Sequence, residues 1–242
     1  MKAGIDQKVV QLRKASTIEE QAHQLRWSVW NSRCDLFKGR IPDNPVDLLE
    51  PGIALCMLGF EVLTEIDLGE MFDCGRRVRV AGQIDTGRKI VRISSQLTHQ
   101  ETRFTAGHEL AHAVLHPAMN GLHRDRALSG PQYRKEKVEV EADRFTSAYL
   151  MSPKLVFGEF AKRFGTDVFR LNEESIFGLS LRAGLHKLRN TRDVSYVVAQ
   201  ASMYMGLPFD SLANKFRVSP TAMAIRLEEL GLIEDFSSQR MW

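Results

Sequence analysis

The most constraining feature of this 242-residue chain is the segment from Thr105 to Val114, which has the sequence TAGHELAHAV and contains an H-E-x-x-H pattern. On a helix, residues four apart project from the same face, so His108 and His112 can both reach one metal ion. Neutral imidazoles one turn apart suit Zn²⁺. Glu109 falls on the neighbouring face, within reach of a water beside that ion. The pattern therefore predicts a zinc centre with two histidine ligands and Glu109 as a general base.

The residues around this pattern predict that it lies on a helix. Thr98 and Glu101 form a Thr-x-x-Glu capping box, which would begin the helix just after Thr98. Apolar residues supply one side of the helix, and Pro117 ends it. The alternative is a core helix whose histidines only form hydrogen bonds. A third ligand further along the chain would favour the metal centre.

A second predicted helix, from about Lys135 to Met151, carries acidic candidates for the third ligand. Glu139 is preferred because it lies next to the apolar Val138–Ala142 stripe, and Glu141 is the alternative. A carboxylate from a second helix completes a His-His-Glu site of the thermolysin type. Asp143, one turn after Glu139, is expected to orient a ligand imidazole.

The residues before the H-E-x-x-H helix predict two helices and a small sheet. A capping box at Thr17 begins the first helix, at 17–37, in which Trp27 and Trp30 are expected to be packing anchors. The second helix is expected from Val46 to Leu58. Alternating apolar and polar residues predict three strands, at 60–66, 77–84 and 89–94. The fold class is therefore α+β, with the sheet preceding the metal-binding helix and an exposed loop from Pro117 to about Lys135 following it.

The C-terminal part predicts a helix from Asp193 to Leu207 and then a helix-turn-helix-like pair. The turn is placed at Arg217 and Val218, and Ser219 is expected to cap the second helix. The exposed face of that helix is predicted to carry Thr221, Arg226, Glu228 and Glu229. Because acids nearly cancel bases there, DNA binding receives weak support, and packing, dimerisation or substrate docking is favoured. The predicted divisions are 1–155, a metal-binding domain; 156–190, a helical connector; and 191–242, the helix-turn-helix-like region.

Composition and charge place few further limits on the chain. A net charge of +3 and a pI of about 8.8 permit contact with nucleic acid without indicating it. The segment Met1–Lys14 has no continuous apolar core, so no secretory signal is expected. The longest apolar run, Ile53–Phe60, is too short to cross a bilayer. Three widely spaced cysteines indicate reduced thiols. We therefore expect a cytoplasmic protein that is not associated with a membrane.

Two segments carry a family resemblance. The first, Arg103 to His116, has the sequence RFTAGHELAHAVLH, and the second, Glu139 to Pro153, has the sequence EVEADRFTSAYLMSP. Together they resemble the ImmA/IrrE family of metallo-endopeptidases, whose second element is Glu-x-x-Ala-(Asn/Asp)-x-Phe-Ala followed by Leu-Leu-Met-Pro. This chain departs from that element at Thr146, where Ala is usual, and at Ser152, inserted before the proline. The resemblance covers about residues 17–155 and leaves the expected ligands unchanged.

The resemblance implies a zincin-like fold, a Zn²⁺ peptidase and a regulatory protein as substrate, often a helix-turn-helix repressor encoded nearby. Glu109 would then accept a proton from water and pass it to the leaving amine. An oxyanion donor is also needed, and the candidates are Tyr149, Tyr133 and His123. The strand at 89–94 is expected to pair with an extended substrate.

Two other functional classes remain open on the sequence. One is a DNA-binding regulator whose zinc centre is structural or sensory. The other is a protein-binding module that holds a repressor without cleaving it. Glu109 argues against the latter, because a purely structural zinc site has no use for a general base.

Overall fold

The computed structural model describes residues 17–73, 76–117, 122–126, 136–180 and 188–235. The chain divides into two compact units, Met1–Leu150 and Met151–Trp242. In the described ranges no helix has both the length and the apolar character needed to cross a bilayer. The three-part division expected from the sequence stays a prediction.

The first unit combines helices with one mixed sheet. Its described helices are α1 (Ile18–Asn31), α2 (Arg33–Leu36), a 3₁₀ helix (Pro45–Leu49), α3 (Pro51–Met57), α4 (His99–Leu115) and α5 (Lys137–Leu150). Its described strands are β1 (Glu61–Glu65), β2 (Glu70–Asp73), β3 (Arg76–Asp85), β4 (Ile90–Ser94) and β5 (Leu122–Arg126). The predicted α+β class is confirmed by this mixture.

Helix α1 begins as its sequence predicts. The Thr17 side chain accepts a hydrogen bond from the Glu20 backbone, and the Glu20 carboxylate accepts one from the Thr17 backbone. The helix buries Ala22, Leu25 and Val29. The prediction that Trp27 and Trp30 are packing anchors is wrong, because their side chains are 60% and 42% exposed. Both fall off the buried stripe, which recurs every three or four residues.

The predicted helix Val46–Leu58 is broken into two pieces. The chain forms the 3₁₀ helix first and then α3, and the break falls at Glu50. Glu50 has φ −72° and ψ 117°, an extended conformation. Pro51 causes this break, since a proline disfavours the helical conformation in the residue before it and donates no backbone hydrogen bond.

The sheet has the strand order β1-β4-β3-β2, and β5 also pairs with β3. Strand β4 lies between β1, which is parallel to it, and β3, which is antiparallel. The second half of β3 is paired on both sides, with β4 and with β5. The three strands predicted before the H-E-x-x-H helix are therefore present, within a residue or two of their predicted bounds.

Strand β5 corrects the prediction of an exposed loop after Pro117. Residues 122–126 pair antiparallel with β3, while the rest of that stretch lies outside the described residues. The segment reads LHRDR and has only one apolar side chain, so it lacks the alternation that marks a half-buried strand. Its strand conformation follows from pairing with β3, which no local pattern encodes.

The second unit is mainly helical. Its described elements are α6 (Pro153–Phe164), α7 (Glu173–Gly178), α8 (Thr191–Gln200), β6 (Met203–Tyr204), β7 (Leu207–Pro208), α9 (Leu212–Phe216) and α10 (Pro220–Glu229). The predicted helix from Asp193 to Leu207 is wrong beyond Gln200, where β6 and β7 form a hairpin. Met205 and Gly206 at its turn have φ values of 49° and 78°, typical of a type I′ turn.

Helices α9 and α10 occupy the positions predicted for the helix-turn-helix-like pair. Arg217 adopts a left-handed conformation, and the Ser219 side chain caps α10 by accepting a hydrogen bond from the backbone of Ala222. Arg226, predicted to be exposed, is buried: it donates from Nε to the Met151 carbonyl at 3.1 Å and from Nη1 to Glu229 at 2.9 Å. A role of this pair in binding DNA or protein stays a prediction.

Candidate metal centre

Helix α4 carries the H-E-x-x-H residues in the conformation that the sequence predicts. The Thr98 side chain accepts a hydrogen bond from the Glu101 backbone at 3.3 Å, and the Glu101 carboxylate accepts one from the Thr98 backbone at 2.9 Å. The predicted capping box is thus confirmed. The helix runs to Leu115 and buries most of its residues, including His108 and His112.

Helix α5 packs closely against α4 at Gly107, the residue before the first histidine. A Cβ atom at Gly107 would lie 2.6 Å from the Cγ2 methyl of Thr146 on α5. That distance is well inside normal contact between carbon atoms, about 3.5–4.0 Å. The missing side chain therefore lets the two helix backbones approach each other beside the histidines.

Side chains from these two helices converge at one point. The ligand atoms of His108, His112 and Glu139 all lie within 4.8 Å of one another. Glu139 Oε2 is 3.1 Å from His108 Nε2, and Glu139 Oε1 is 3.7 Å from His112 Nε2. Two imidazole nitrogens and one carboxylate oxygen form a donor set that suits Zn²⁺. This group could hold a metal ion.

Glu141, the alternative third ligand, is not part of this group. Its Oε2 atom lies 3.8 Å from His116 Nε2, and its Oε1 atom lies 3.6 Å from Lys137 Nζ. Glu139 and Glu141 are two residues apart, which turns their side chains about 200° from each other around the helix. The helix therefore presents only Glu139 to both histidines of the converging group.

Asp143 contacts the first histidine from the side away from the centre. Its Oδ1 atom is 3.0 Å from Nδ1 of His108. A proton on Nδ1 donates to this carboxylate, and Nε2 then carries a lone pair directed at Glu139 and the centre. A carboxylate in this position orients the imidazole and increases its basicity as a ligand.

The chain that forms this geometry also matches a known protein family. The model of the family Peptidase_M78, described as the IrrE N-terminal-like domain, matches residues 62–228, which is more than half of the chain. The chain belongs to the Peptidase_M78 family. The resemblance to ImmA/IrrE metallopeptidases is thereby confirmed, and membership indicates a metal-dependent peptidase. No curated protein matches this chain.

In this Peptidase_M78 chain, Glu109 lies between the two histidines in sequence and contacts the sheet. Glu109 is completely buried and lies against the sheet, with its carboxylate over Gly82 of β3. It is next to His108 in the chain, and its side chain is turned about 100° around the helix axis from that histidine. The role of Glu109 as a general base stays a prediction.

Tyr149, one of three candidates for the oxyanion donor, is not at the centre. It follows Glu139 by ten residues on α5, about 15 Å along the helix axis. Burial raises the pKa of the Tyr149 phenol far above its ordinary value, and Arg26 and Arg103 oppose this only in part. The charged groups that lower the pKa of the Tyr149 phenol are therefore Arg26 and Arg103, which are not among the residues of the candidate centre. Tyr133 and the side chain of His123 lie outside the described residues.

Sequence reasoning missed a buried arginine that anchors α4. Arg103 donates from Nη1 to Glu50 Oε2 at 3.1 Å, and from Nη2 to the carbonyls of Val46 and Leu49 at 3.2 and 3.1 Å. The guanidinium thereby ties α4 to the 3₁₀ helix and to Glu50, the residue after it. The sequence offers one signal for this role, which is that Arg103 is a charged residue on a face of α4 that turns out to be buried.

Proposed function

We propose that this chain is a zinc-dependent endopeptidase that cleaves a regulatory protein, with a helix-turn-helix repressor as the expected substrate. The observation that carries the enzymatic part is the convergence of His108, His112 and Glu139 beside the buried Glu109. Membership in Peptidase_M78 supports peptide hydrolysis. The kind of substrate rests on the resemblance to ImmA/IrrE proteins.

The donor set favours Zn²⁺ and a catalytic site. Structural zinc sites usually have four protein ligands, whereas catalytic sites have three and keep one position for water or substrate. Three ligands are grouped among the described residues. A divalent ion held by them would polarise the scissile carbonyl as a Lewis acid and would lower the pKa of water at the site.

Glu109 is the proposed general base and acid. Its carboxylate accepts a proton from the attacking water and then donates that proton to the amide nitrogen that leaves. Burial of Glu109 between α4 and β3 keeps bulk water away from the carboxylate. Asp143 holds the Nδ1 proton of His108, so that Nε2 remains a ligand throughout.

The strand proposed to bind substrate is β5. The earlier expectation placed substrate beside 89–94, but β4 is paired with both β1 and β3 and has no edge to offer. Within the described part of the chain, β5 pairs only with β3. An extended peptide can add to such an edge through backbone hydrogen bonds. The edge strand also follows directly, along the chain, from the helix that carries the histidines.

Substitution of the proposed base tests the function. The substrate is a small helix-turn-helix repressor encoded beside this chain, and cleavage is followed on gels with Zn²⁺ and with a chelator. Glu109→Gln should lower the cleavage rate on the order of 10²–10⁴-fold, the usual contribution of general acid–base catalysis. Its zinc content, measured by mass spectrometry, should stay that of the wild type.

A matched control is Glu136→Gln, which replaces an exposed acid near the start of α5. This variant should cleave at the wild-type rate. Wild-type cleavage by Glu109→Gln would remove Glu109 from the mechanism. Undiminished cleavage by metal-free protein would remove the metal centre from it.

A further inference from the structure

Gly82 lies in β3 directly beneath the carboxylate of Glu109. A Cβ atom at Gly82 would lie 2.2 Å from Glu109 Oε1 and 3.2 Å from Glu109 Cδ. It would also lie 2.6 Å from the Cγ2 methyl of Thr105, one turn earlier on α4. Heavy atoms that are not bonded pack at about 3.5–4.0 Å. The carboxylate therefore occupies the space that any side chain at position 82 would take.

The backbone of Gly82 does not itself require glycine. Gly82 lacks the positive φ found at Gly59 and Gly69, and it pairs with Ile93 of β4 and Asp125 of β5. Glycine inside a strand weakens the strand, and it often marks a place where another group closely approaches the backbone. The group that approaches here is the carboxylate of Glu109.

This contact fixes how far the Glu109 carboxylate extends toward the sheet. Because Glu109 is completely buried, its side chain is confined between α4 and β3. A Cβ atom at position 82 would have to move Oε1 by about 0.8 Å to restore the 3.0 Å below which real Cβ contacts essentially never occur. A misplacement of about 1 Å at a reacting group can lower a rate on the order of 10²-fold.

We propose that Gly82 is a positioning residue, which sets the location of the general base by leaving its carboxylate room against β3. This inference rests on the proposed function, because Gly82 acts only through Glu109. It adds a strand residue to a site that the H-E-x-x-H pattern places entirely on a helix. The three atoms nearest to a Cβ at position 82 belong to Glu109 and Thr105, neither of which is a proposed ligand, so metal binding should not depend on Gly82.

A double-substitution cycle between positions 82 and 109 tests the inference. Every variant carries Thr105→Ser, which removes the Cγ2 methyl and leaves Glu109 as the remaining close contact. Gly82→Ala should then lower kcat about 10²-fold with little change in KM. Glu109→Asp shortens the acid by one methylene and makes room for a methyl group at position 82. In that background Gly82→Ala should change kcat by less than about threefold. Equal losses in both backgrounds would overturn the inference.

Two further measurements separate positioning from damage to the fold. Zinc content should be the same in all variants. Gly82→Ala should lower Tm when Glu109 is present and should not lower it when combined with Glu109→Ala. The same decrease of Tm in both backgrounds would show that the carboxylate does not fill this space. Gly158→Ala, where a Cβ meets nothing within 4 Å, is the control and should alter neither activity nor zinc content.

Failure of the inference and failure of the proposed function give different results. Cleavage is measured on a library of synthetic peptides by mass spectrometry. If wild type and Glu109→Gln cleave equally, or if neither cleaves, the proposed function fails, and the Tm comparison still decides whether Glu109 fills the space over Gly82. If Glu109→Gln is inactive while Gly82→Ala is fully active, the proposed function stands and the role of Gly82 is wrong.

Discussion

His108 engages a different carboxylate with each of its ring nitrogens. Nδ1 is 3.0 Å from Asp143, and Nε2 is 3.1 Å from Glu139. Both acids are on α5, four residues apart, so one helix carries the proposed carboxylate ligand and the group proposed to orient a histidine ligand. Such orienting partners commonly contribute 10- to 100-fold, roughly, to metal affinity.

At this scale we expect Asp143→Asn to weaken zinc binding about 10- to 100-fold while the fold is retained. The amide keeps the shape of the side chain but removes the charge that holds the Nδ1 proton. Zinc affinity is measured by competition with a chromophoric chelator. Glu136→Gln, which replaces an exposed acid just before the same helix, is the matched control. Unchanged affinity in Asp143→Asn would show that His108 is oriented by its own packing.

At the scale of elements, the site depends on how closely α4 and α5 approach. A side chain at Gly107 of α4 would overlap the Cγ2 methyl of Thr146 on α5. Thr146 stands where the resembled family usually has Ala. The additional methyl of Thr146 is thus accommodated by the absent side chain of Gly107. Neither residue is a proposed ligand, yet their contact bears on the spacing between the histidines of α4 and Glu139 of α5.

The contact between Gly107 and Thr146 predicts that Gly107→Ala destabilises the wild type but stabilises the Thr146→Ala variant. Gly107→Ala alone should lower the free energy of unfolding by about 1–3 kcal/mol, because it overpacks the helix contact. In the Thr146→Ala background the same substitution should raise it by about 0.5–1 kcal/mol, since Ala favours helix more than Gly does. Urea unfolding of the four proteins measures both increments. Equal destabilisation in both backgrounds would place the strain elsewhere.

Local signals explain which elements could be predicted. The capping boxes at Thr17 and Thr98 are short-range hydrogen-bond patterns, and both helices begin there. Strand β5 and the β6–β7 hairpin were missed because pairing partners, rather than alternation, determine them. The break before Pro51 was available from the sequence, since the effect of proline on the preceding residue is local.

The residues of the candidate site also divide into those that local sequence patterns predict and those that depend on tertiary packing. The helical spacing of His108 and His112 needs no tertiary information, and the structure brings both together with the preferred Glu139. The suggestion of Tyr149 failed because residues on one helix can be far apart along its axis. Gly82 could not be found from sequence, because only the packing of α4 on β3 shows which strand residue lies beneath Glu109.

At the scale of the whole molecule, charge argues against nucleic acid as a partner of the second unit. Residues 151–242 include twelve Lys or Arg and ten Asp or Glu, so the two signs of charge nearly balance. Several of the arginines are already paired within the unit: Arg163 with Glu159, Arg170 with Glu234, Arg192 with Glu228 and Arg226 with Glu229. Binding to duplex DNA depends mainly on basic side chains that can neutralise phosphates.

We therefore expect the full chain to bind random duplex DNA with a Kd no tighter than about 10⁻⁴ M at physiological salt, the weak end of nonspecific binding. Fluorescence anisotropy over a series of salt concentrations measures this, with a basic helix-turn-helix protein as the positive control. A submicromolar Kd that weakens steeply with salt would contradict the expectation and favour a DNA-binding regulator.

The division of the ligands between α4 and α5 has a thermodynamic consequence. The two imidazoles share a helix and keep their spacing whenever that helix forms, but the carboxylate joins them only when α5 is packed in place. A cation bound by this proposed set would therefore find all three ligands only in the folded chain. An ion that binds the folded chain more tightly than the unfolded chain raises the free energy of unfolding. When the ion is in excess, each factor of ten between the two affinities adds about 1.4 kcal/mol.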